Sequence, residues 1–135
     1  MQKNKLAQLI AQLENYVECW KQFCRYLNLA RTKKFTAEDD AQFLEIKSVM
    51  TQELELIMAA IESGAPAKED IHGLISAAPS LRYVSEMSDG SWRGLENQWH
   101  RIFIAWQSIL GQLKVRQRQM QSQSVWGKLT GRGKG

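Results

Sequence analysis

Residues Gln98–Leu113, QWHRIFIAWQSILGQL, decide the fold of this chain. At about 100° per residue, the apolar side chains of this stretch and of the turns before it fall within an arc of roughly 120°. They are Trp92, Leu95, Trp99, Ile102, Phe103, Trp106, Ile109, Leu110 and Leu113. The three Trp, at seven-residue spacing, present more surface than one helix can cover, so other helices must lie on them. We interpret this stretch as the central wall of a helical core.

The composition predicts an all-α fold, an antiparallel helical bundle of three long helices plus one or two short crossover helices. A length of 135 residues with 44% hydrophobic residues is enough for one core in one domain. Two prolines and the absence of β-branched runs favour helix over strand. We assign residues 1–121 to the bundle and residues 122–135 to a flexible, basic, Gly-rich tail.

Apolar periodicity, caps and breakers delimit the helices. The predicted segments are a first long helix over residues 3–31, a second over residues 36–62, short helices over 67–78 and from 79 onward, and a last long helix that begins near Asp89. Thr36 is a good N-cap, and the three acids that follow it complement the helix dipole. For the last helix, Asp89 or Ser91 is the predicted cap.

The formal net charge of +4 hides a strong segregation along the chain. Residues 1–35 carry a net +5, residues 36–96 a net −8, and residues 97–135, which contain no acid, a net +7. One interpretation is that the acidic middle and the basic ends attract each other within the bundle. The other is that the basic C-terminal arm is directed at an anionic partner.

The C-terminal tail contains an apolar island among bases. Val125, Trp126 and Leu129 stand near Lys128, Arg132 and Lys134 in the stretch VWGKLTGRGKG. Three apolar residues in a Gly-rich tail cannot form a core of their own, so the island is either disordered or docked on something. We expect a non-enzymatic protein-protein interaction or scaffold module that docks an unknown protein partner through its surface and this tail.

The same bases support an alternative function. Lys114, Arg116 and Arg118 precede the island, and together with the later bases they could bind nucleic acid phosphates while Trp126 stacks on a base. An anionic membrane surface is the related possibility, with the island inserted among headgroups. The stretch GKLTGRGKG lacks the GxxxxGK[ST] spacing of a phosphate loop.

Three polar residues flank the apolar faces and define a third possibility. Lys47 falls on the apolar stripe of the second helix, where it either extends along the core edge to water or pairs with a carboxylate of a facing helix. Glu96 and His100, four residues apart, can meet on one side of the last helix. If the second and last long helices are neighbours, Lys47 could contact Glu96, and a pocket there could serve a small-ligand carrier or an enzyme.

Catalytic and metal-binding patterns are not found in the sequence. The Glu-x-x-His repeat of di-metal bundles is missing, and His72 stands alone, so we expect no metal, no cofactor and no catalytic residues. Cys19 and Cys24 point about 140° apart on one helix and are interpreted as free thiols of a reducing compartment. Without a signal peptide or a long apolar run, we expect a cytoplasmic location.

A second strip on the last helix raises the possibility of self-association. Ile104, Ser108, Gly111 and Val115 lie on the side opposite the Trp residues. Small residues in such a strip could admit another helix closely, including a second copy of this one. The alternative is scattered surface apolarity, which is common in monomers.

Overall fold

The computed structural model describes residues 2–61, 64 and 66–129, and the side chains of residues 124–129 lie outside this description. Within these ranges the chain forms five α-helices. They are α1 (Lys3–Thr32), α2 (Ala37–Ile61), α3 (Lys68–Ala77), α4 (Leu81–Ser85) and α5 (Asp89–Leu129). The all-α bundle of three long helices and two short ones is confirmed.

Helix α1 lies at the centre of the bundle. Helices α2 and α5 pack along it, and α4 packs near its C-terminal end. Its apolar stripe is buried along nearly its whole length, and includes Leu6, Leu9, Leu13, Tyr16, Trp20, Phe23 and Leu27. On α5, by contrast, Trp99 and Phe103 are only half-buried. The prediction that α5 forms the central wall is therefore wrong, because α5 packs mainly against α1 and α3 whereas α1 is covered from several sides.

Two helix starts show how local sequence sets the boundaries. The Thr36 hydroxyl accepts a hydrogen bond from the Asp39 N–H at 3.1 Å, and the Asp39 carboxylate accepts one from the Thr36 N–H at 2.9 Å. This reciprocal capping box begins α2 as predicted. At α5 the cap is Ser88, whose Oγ accepts from the Ser91 N–H at 3.1 Å. The prediction of Asp89 or Ser91 is corrected to the residue just before them.

Helices α3 and α4 form a bent return leg that runs antiparallel to α2. Lys68 at the start of α3 pairs with Glu55 late in α2. The Leu81 N–H at the start of α4 donates to Asp40 early in α2 at 2.9 Å. Helix α3 also packs on α5, where Gln98 contacts its first turn. The crossover therefore lies along the side of the long helices, as expected for elements too short to span the bundle.

Helix α5 extends beyond the bundle. It begins level with the C-terminal end of α1, where Arg31 pairs with Asp89, and runs antiparallel to α1. Because α5 has 41 residues and α1 has 30, at most about 16 Å of α5 passes the start of α1. Leu113 is its last fully buried residue among those described. The helical backbone crosses residue 121, so the flexibility of residues 122–135 and the domain boundary remain predictions.

Candidate functional site

The exposed end of α5 is the first candidate surface. We call residues 114–129 the basic arm. Lys114 is paired with Glu14 of α1 at 2.9 Å, whereas Arg116 and Arg118 are exposed. The remaining predicted partner-binding side chains, Val125, Trp126, Lys128, Leu129, Arg132 and Lys134, lie outside the described residues. The described part of the arm therefore presents positive charge on a helix that still packs Met120 against the core.

A groove between α1 and α2 is the second candidate surface. We call it the α1–α2 groove, a cleft of about 370 Å³ with Cys19 and Tyr26 on the α1 side and Glu45, Ile46 and Val49 on the α2 side. Sequence reasoning missed it. The signal was present, because exposed Val49 and Leu56 are seven residues apart and lie off the buried stripe of α2.

The charge around this groove is mainly negative. Glu45 is exposed on its wall, and Glu53, one turn beyond Val49 on α2, is half-buried. Arg25 lies with Asp39 in the adjoining cleft at the far end. Burial, assisted by the charges of Glu53 and Glu18, raises the pKa of the Cys19 thiol. The groove therefore favours a cationic or neutral occupant and disfavours a thiolate.

The acidic helix and the basic arm are separated within one molecule. Helices α2 and α5 each pack against α1. In the part of the chain with described side chains, the ion pairs join Lys21 to Glu18, Arg31 to Asp89, Lys68 to Glu55, and Lys114 to Glu14. None of these pairs links α2 to the arm. Attraction between the acidic middle and the basic C-terminal end inside the bundle is thus not formed by direct contacts among those residues.

Lys47 has a structural partner other than the one predicted. Its Nζ donates to the carbonyl oxygens of Ala78 at 2.8 Å and Pro79 at 3.3 Å, which lie in the connector between α3 and α4. The half-buried ammonium also lies 5.7 Å from the ring centroid of Phe43. The contact with Glu96, which the sequence allowed if α2 and α5 were neighbours, is not formed, because the Lys47 side chain is directed at this connector.

Glu96 and His100 border a different cleft, of about 320 Å³, between α1 and α5. Its wall includes Cys24, Trp92 and Trp99, and Lys47 does not line it. Both Glu96 and His100 are exposed at its rim. The three polar residues singled out from the sequence are thus not brought together, and only two of them share a cleft.

The Cys24 thiol and the Trp99 indole of this cleft are not activated for catalysis. Burial raises the pKa of the Cys24 thiol, and the Glu96 carboxylate raises it further, against a lowering by the Asn28 side chain. A thiol kept protonated at neutral pH is a weak nucleophile. The Trp99 indole N–H is already used, since it donates to the Trp20 carbonyl oxygen at 3.1 Å. What remains is a shallow site with two aromatic walls.

The small-residue strip on α5 is exposed. Ile104 retains 54% of its accessible surface, and Ser108, Gly111 and Val115 are also exposed. Gly111 borders a cleft with Ala7 on α1, and a Cβ added at Gly111 would meet nothing within 4 Å. The glycine is therefore not required for close packing within one molecule.

Two further kinds of site are not seen in the described part of the chain. Among the described residues, no three His, Cys, Asp or Glu side chains are grouped so that they could hold a metal ion. No described helix combines the length and apolarity needed to cross a membrane. Comparisons of the chain with protein-family models, with curated proteins and with solved structures find no match.

Proposed function

We propose that this protein is a non-enzymatic interaction or scaffold module of the cytoplasm that docks a protein partner through its surface and C-terminal end. One observation carries the proposal. Helix α5 continues to Leu129, well past Leu113, its last buried residue among those described, through a stretch without acids in which Met120 is the one described apolar side chain packed against the core. A projecting helix with so few contacts gains stability by binding another surface.

The chemistry of the arm defines the partner. Exposed Arg116 and Arg118 favour an acidic surface, and the sequence adds Val125, Trp126 and Leu129 as apolar anchors. An amphipathic helix of this kind typically lies in an apolar groove with acidic walls. Trp is the residue type most often found as a binding hot spot.

A nucleic acid or an anionic membrane surface is the alternative, favoured by the same bases. The two classes respond differently to salt. Binding driven by phosphate contacts falls steeply with rising salt, whereas a docked apolar anchor survives. A small-ligand carrier or an enzyme is the third candidate function. The feature that supports it is the cleft beside Glu96 and His100, because Lys47 instead binds the connector between α3 and α4.

The test is a pull-down that compares the full chain with a chain ending at Met120. We expect the partner to bind the full chain and to be lost from the shorter one. Trp126→Ala in the full chain should also abolish binding, whereas Tyr83→Ala, which removes an aromatic side chain that is 53% exposed on α4, should not. Equal binding by the two chain lengths would reject the proposal.

A salt series on the captured complex separates the first two functions. Retention at about 0.5 M NaCl, together with loss on Trp126→Ala, supports a docked protein. Steep loss with salt, accompanied by binding to an oligonucleotide or to phosphatidylserine vesicles, supports the electrostatic alternative.

A further inference from the structure

We propose that the cleft between α1 and α5 binds a quaternary ammonium group. We call it the α1–α5 cleft. Its volume is about 320 Å³, at the small end of the range for ligand sites, and Trp92, Trp99 and Glu96 are among its lining residues. The inference does not rest on the proposed function, because this cleft is separate from the basic arm.

Helical spacing gathers the walls of the cleft. Four of its lining residues on α5 fall within an arc of about 100°. They are Trp92, Glu96, Trp99 and His100. From α1 the cleft is lined by Leu27, which is buried, and Cys24, which is half-buried one turn earlier. The cleft is therefore apolar and aromatic at depth and polar at its rim.

The indole of Trp99 is held as a fixed wall. Phe103, one turn further along α5, stacks on it with ring centroids 4.6 Å apart and planes 13° from parallel. The indole N–H donates to the Trp20 carbonyl oxygen at 3.1 Å. Phe103 covers the ring from the C-terminal side, and the cleft residues that precede Trp99 on α5 lie on the other side. An aromatic wall that is already ordered loses little conformational freedom when a ligand binds.

The charge at the cleft favours a cation. Among the described lining residues Glu96 is the one carboxylate, and no Lys or Arg lines the cleft. Arg31 lies 5.4 Å from the Trp92 ring centroid, so this indole already has one cation beside it. The charge of that guanidinium is offset by Asp89 at 2.9 Å. The Glu96 carboxylate therefore attracts a positively charged ligand.

A shortage of hydrogen-bond acceptors inside the cleft selects the kind of cation. Glu96 and Asn97 are exposed at the rim. The Cys24 sulfur is a weak acceptor and already receives the Asn28 side-chain N–H at 3.5 Å. A primary ammonium or a guanidinium would turn N–H groups toward Leu27 and the indoles, where they would lose their hydrogen bonds to water. A quaternary ammonium has no N–H group, and aromatic faces attract its charge.

The experiment is a titration of the isotopically labelled full chain with choline, followed by NMR at about pH 8, where an ordinary histidine is neutral. Choline should shift the indole N–H signals of Trp92 and Trp99 with a dissociation constant on the order of 1 mM. Its neutral isostere, in which carbon replaces the nitrogen, has the same shape without the charge. We expect the isostere to bind at least about fivefold more weakly.

Two substitutions test the walls separately. Trp92→Leu keeps an apolar side chain but removes the aromatic face, and Glu96→Gln keeps the shape but removes the charge. Each should weaken choline binding at least about fivefold. Because Glu96 is exposed, Glu96→Gln keeps the test valid even if Trp92→Leu loses its fold, which circular dichroism would show.

Glu69→Gln is the matched control for the loss of charge. Glu69 is an exposed carboxylate of α3, and α3 is contacted by Gln98 of α5. Gln98 lies about 200° around the helix from Glu96, so α3 packs on the other side of α5 from the cleft. We expect Glu69→Gln to bind choline as tightly as the wild-type chain.

The quaternary ammonium group can belong to a free small molecule or to a trimethylated lysine of a peptide. A trimethyl-lysine peptide that binds at least about tenfold more tightly than choline would assign the cleft to a protein side chain. Equal or weaker binding of the peptide would assign it to the free molecule.

Three outcomes would overturn the inference. They are choline leaving the signals of Trp92 and Trp99 unshifted, the neutral isostere binding as tightly as choline, and Glu96→Gln binding choline as tightly as the wild-type chain. None of them bears on the basic arm. The pull-down with the chain that ends at Met120 stays a separate test of the proposed function.

Discussion

Lys47 donates a hydrogen bond from Nζ to the carbonyl oxygen of Ala78 at 2.8 Å, so α2 holds the connector between α3 and α4. Ala78 is fully buried, and its carbonyl faces a place where water has little access. Lys47→Met keeps the apolar stem and removes the donor. We expect the free energy of unfolding to fall by about 1–2 kcal/mol, measured by urea titration. An unchanged midpoint would mean that the contact contributes nothing.

Lys47 also makes the free energy of unfolding depend on pH. Burial lowers the pKa of Lys47 from its ordinary value of 10.5, partly offset by the charge of Asp40. Just below pH 10.5 the unfolded chain therefore binds more protons at this site than the folded chain, so stability from Lys47 rises with pH through that window. We expect the difference in unfolding free energy between wild type and Lys47→Met to widen from neutral pH toward 10.5. If the difference in unfolding free energy instead narrows toward pH 10.5, the lowered pKa of Lys47 is contradicted.

The separation of Lys47 from Glu96 can be tested by a double-mutant cycle. Lys47 contacts the α3–α4 connector, and Glu96 lies on the rim of the cleft between α1 and α5. The effects of Lys47→Met and Glu96→Gln on unfolding free energy should therefore add within about 0.5 kcal/mol. A coupling energy above about 1 kcal/mol would show that the two side chains interact after all.

Sequence periodicity predicted the helices well but not their neighbours. The stripe of α1 and the cap at Thr36 are local signals, and both lie where they were expected. Periodicity identifies which face of a helix is apolar but not which helix covers it, so α5 was placed at the centre in error. Lys47 was recognised as unusual for the same local reason. Its partners are backbone carbonyl oxygens 31 and 32 residues away, which no side-chain pattern reports.

Of the two candidate surfaces, the sequence predicted one and did not predict the other. The basic arm was found from sequence, because charge and the end of the apolar stripe are visible along the chain. The α1–α2 groove was not predicted, because two exposed apolar residues such as Val49 and Leu56 are typical of an ordinary protein surface. Only the pairing of α1 with α2 places Val49 beside Cys19 and Tyr26, with the carboxylate of Glu45 on the same wall.

Tyr16 ties α1 to α2 in the core. Its hydroxyl donates to the Met50 carbonyl oxygen at 2.8 Å, and burial raises the pKa of Tyr16 above its ordinary value of 10.0. The protonated Tyr16 hydroxyl therefore stabilises the folded state fully below pH 10.0, and this stabilisation is lost as pH rises above that value. We expect Tyr16→Phe to lower the unfolding free energy by about 1 kcal/mol at pH 7 and to approach wild type above pH 10. Tyr83→Phe, at an exposed site, should change neither value by more than about 0.5 kcal/mol.

Arg31 joins the end of α1 to the turn between α4 and α5. Its guanidinium donates to the carbonyl oxygens of Val84 at 3.2 Å and Met87 at 2.8 Å, and lies 5.4 Å from the Trp92 ring centroid. It also pairs with Asp89, but that carboxylate is 90% exposed. The backbone acceptors should therefore dominate.

We expect Arg31→Met to lower the unfolding free energy by about 2 kcal/mol, because two carbonyl oxygens lose a charged donor at once. Asp89→Asn removes only the solvent-exposed ion pair and should cost less than about 0.5 kcal/mol. Arg31→Lys should fall between them, since an ammonium cannot reproduce the planar fork or its stacking on Trp92. Equal losses for Arg31→Met and Asp89→Asn, measured by urea titration, would show that the ion pair and not the carbonyl contacts stabilises this corner.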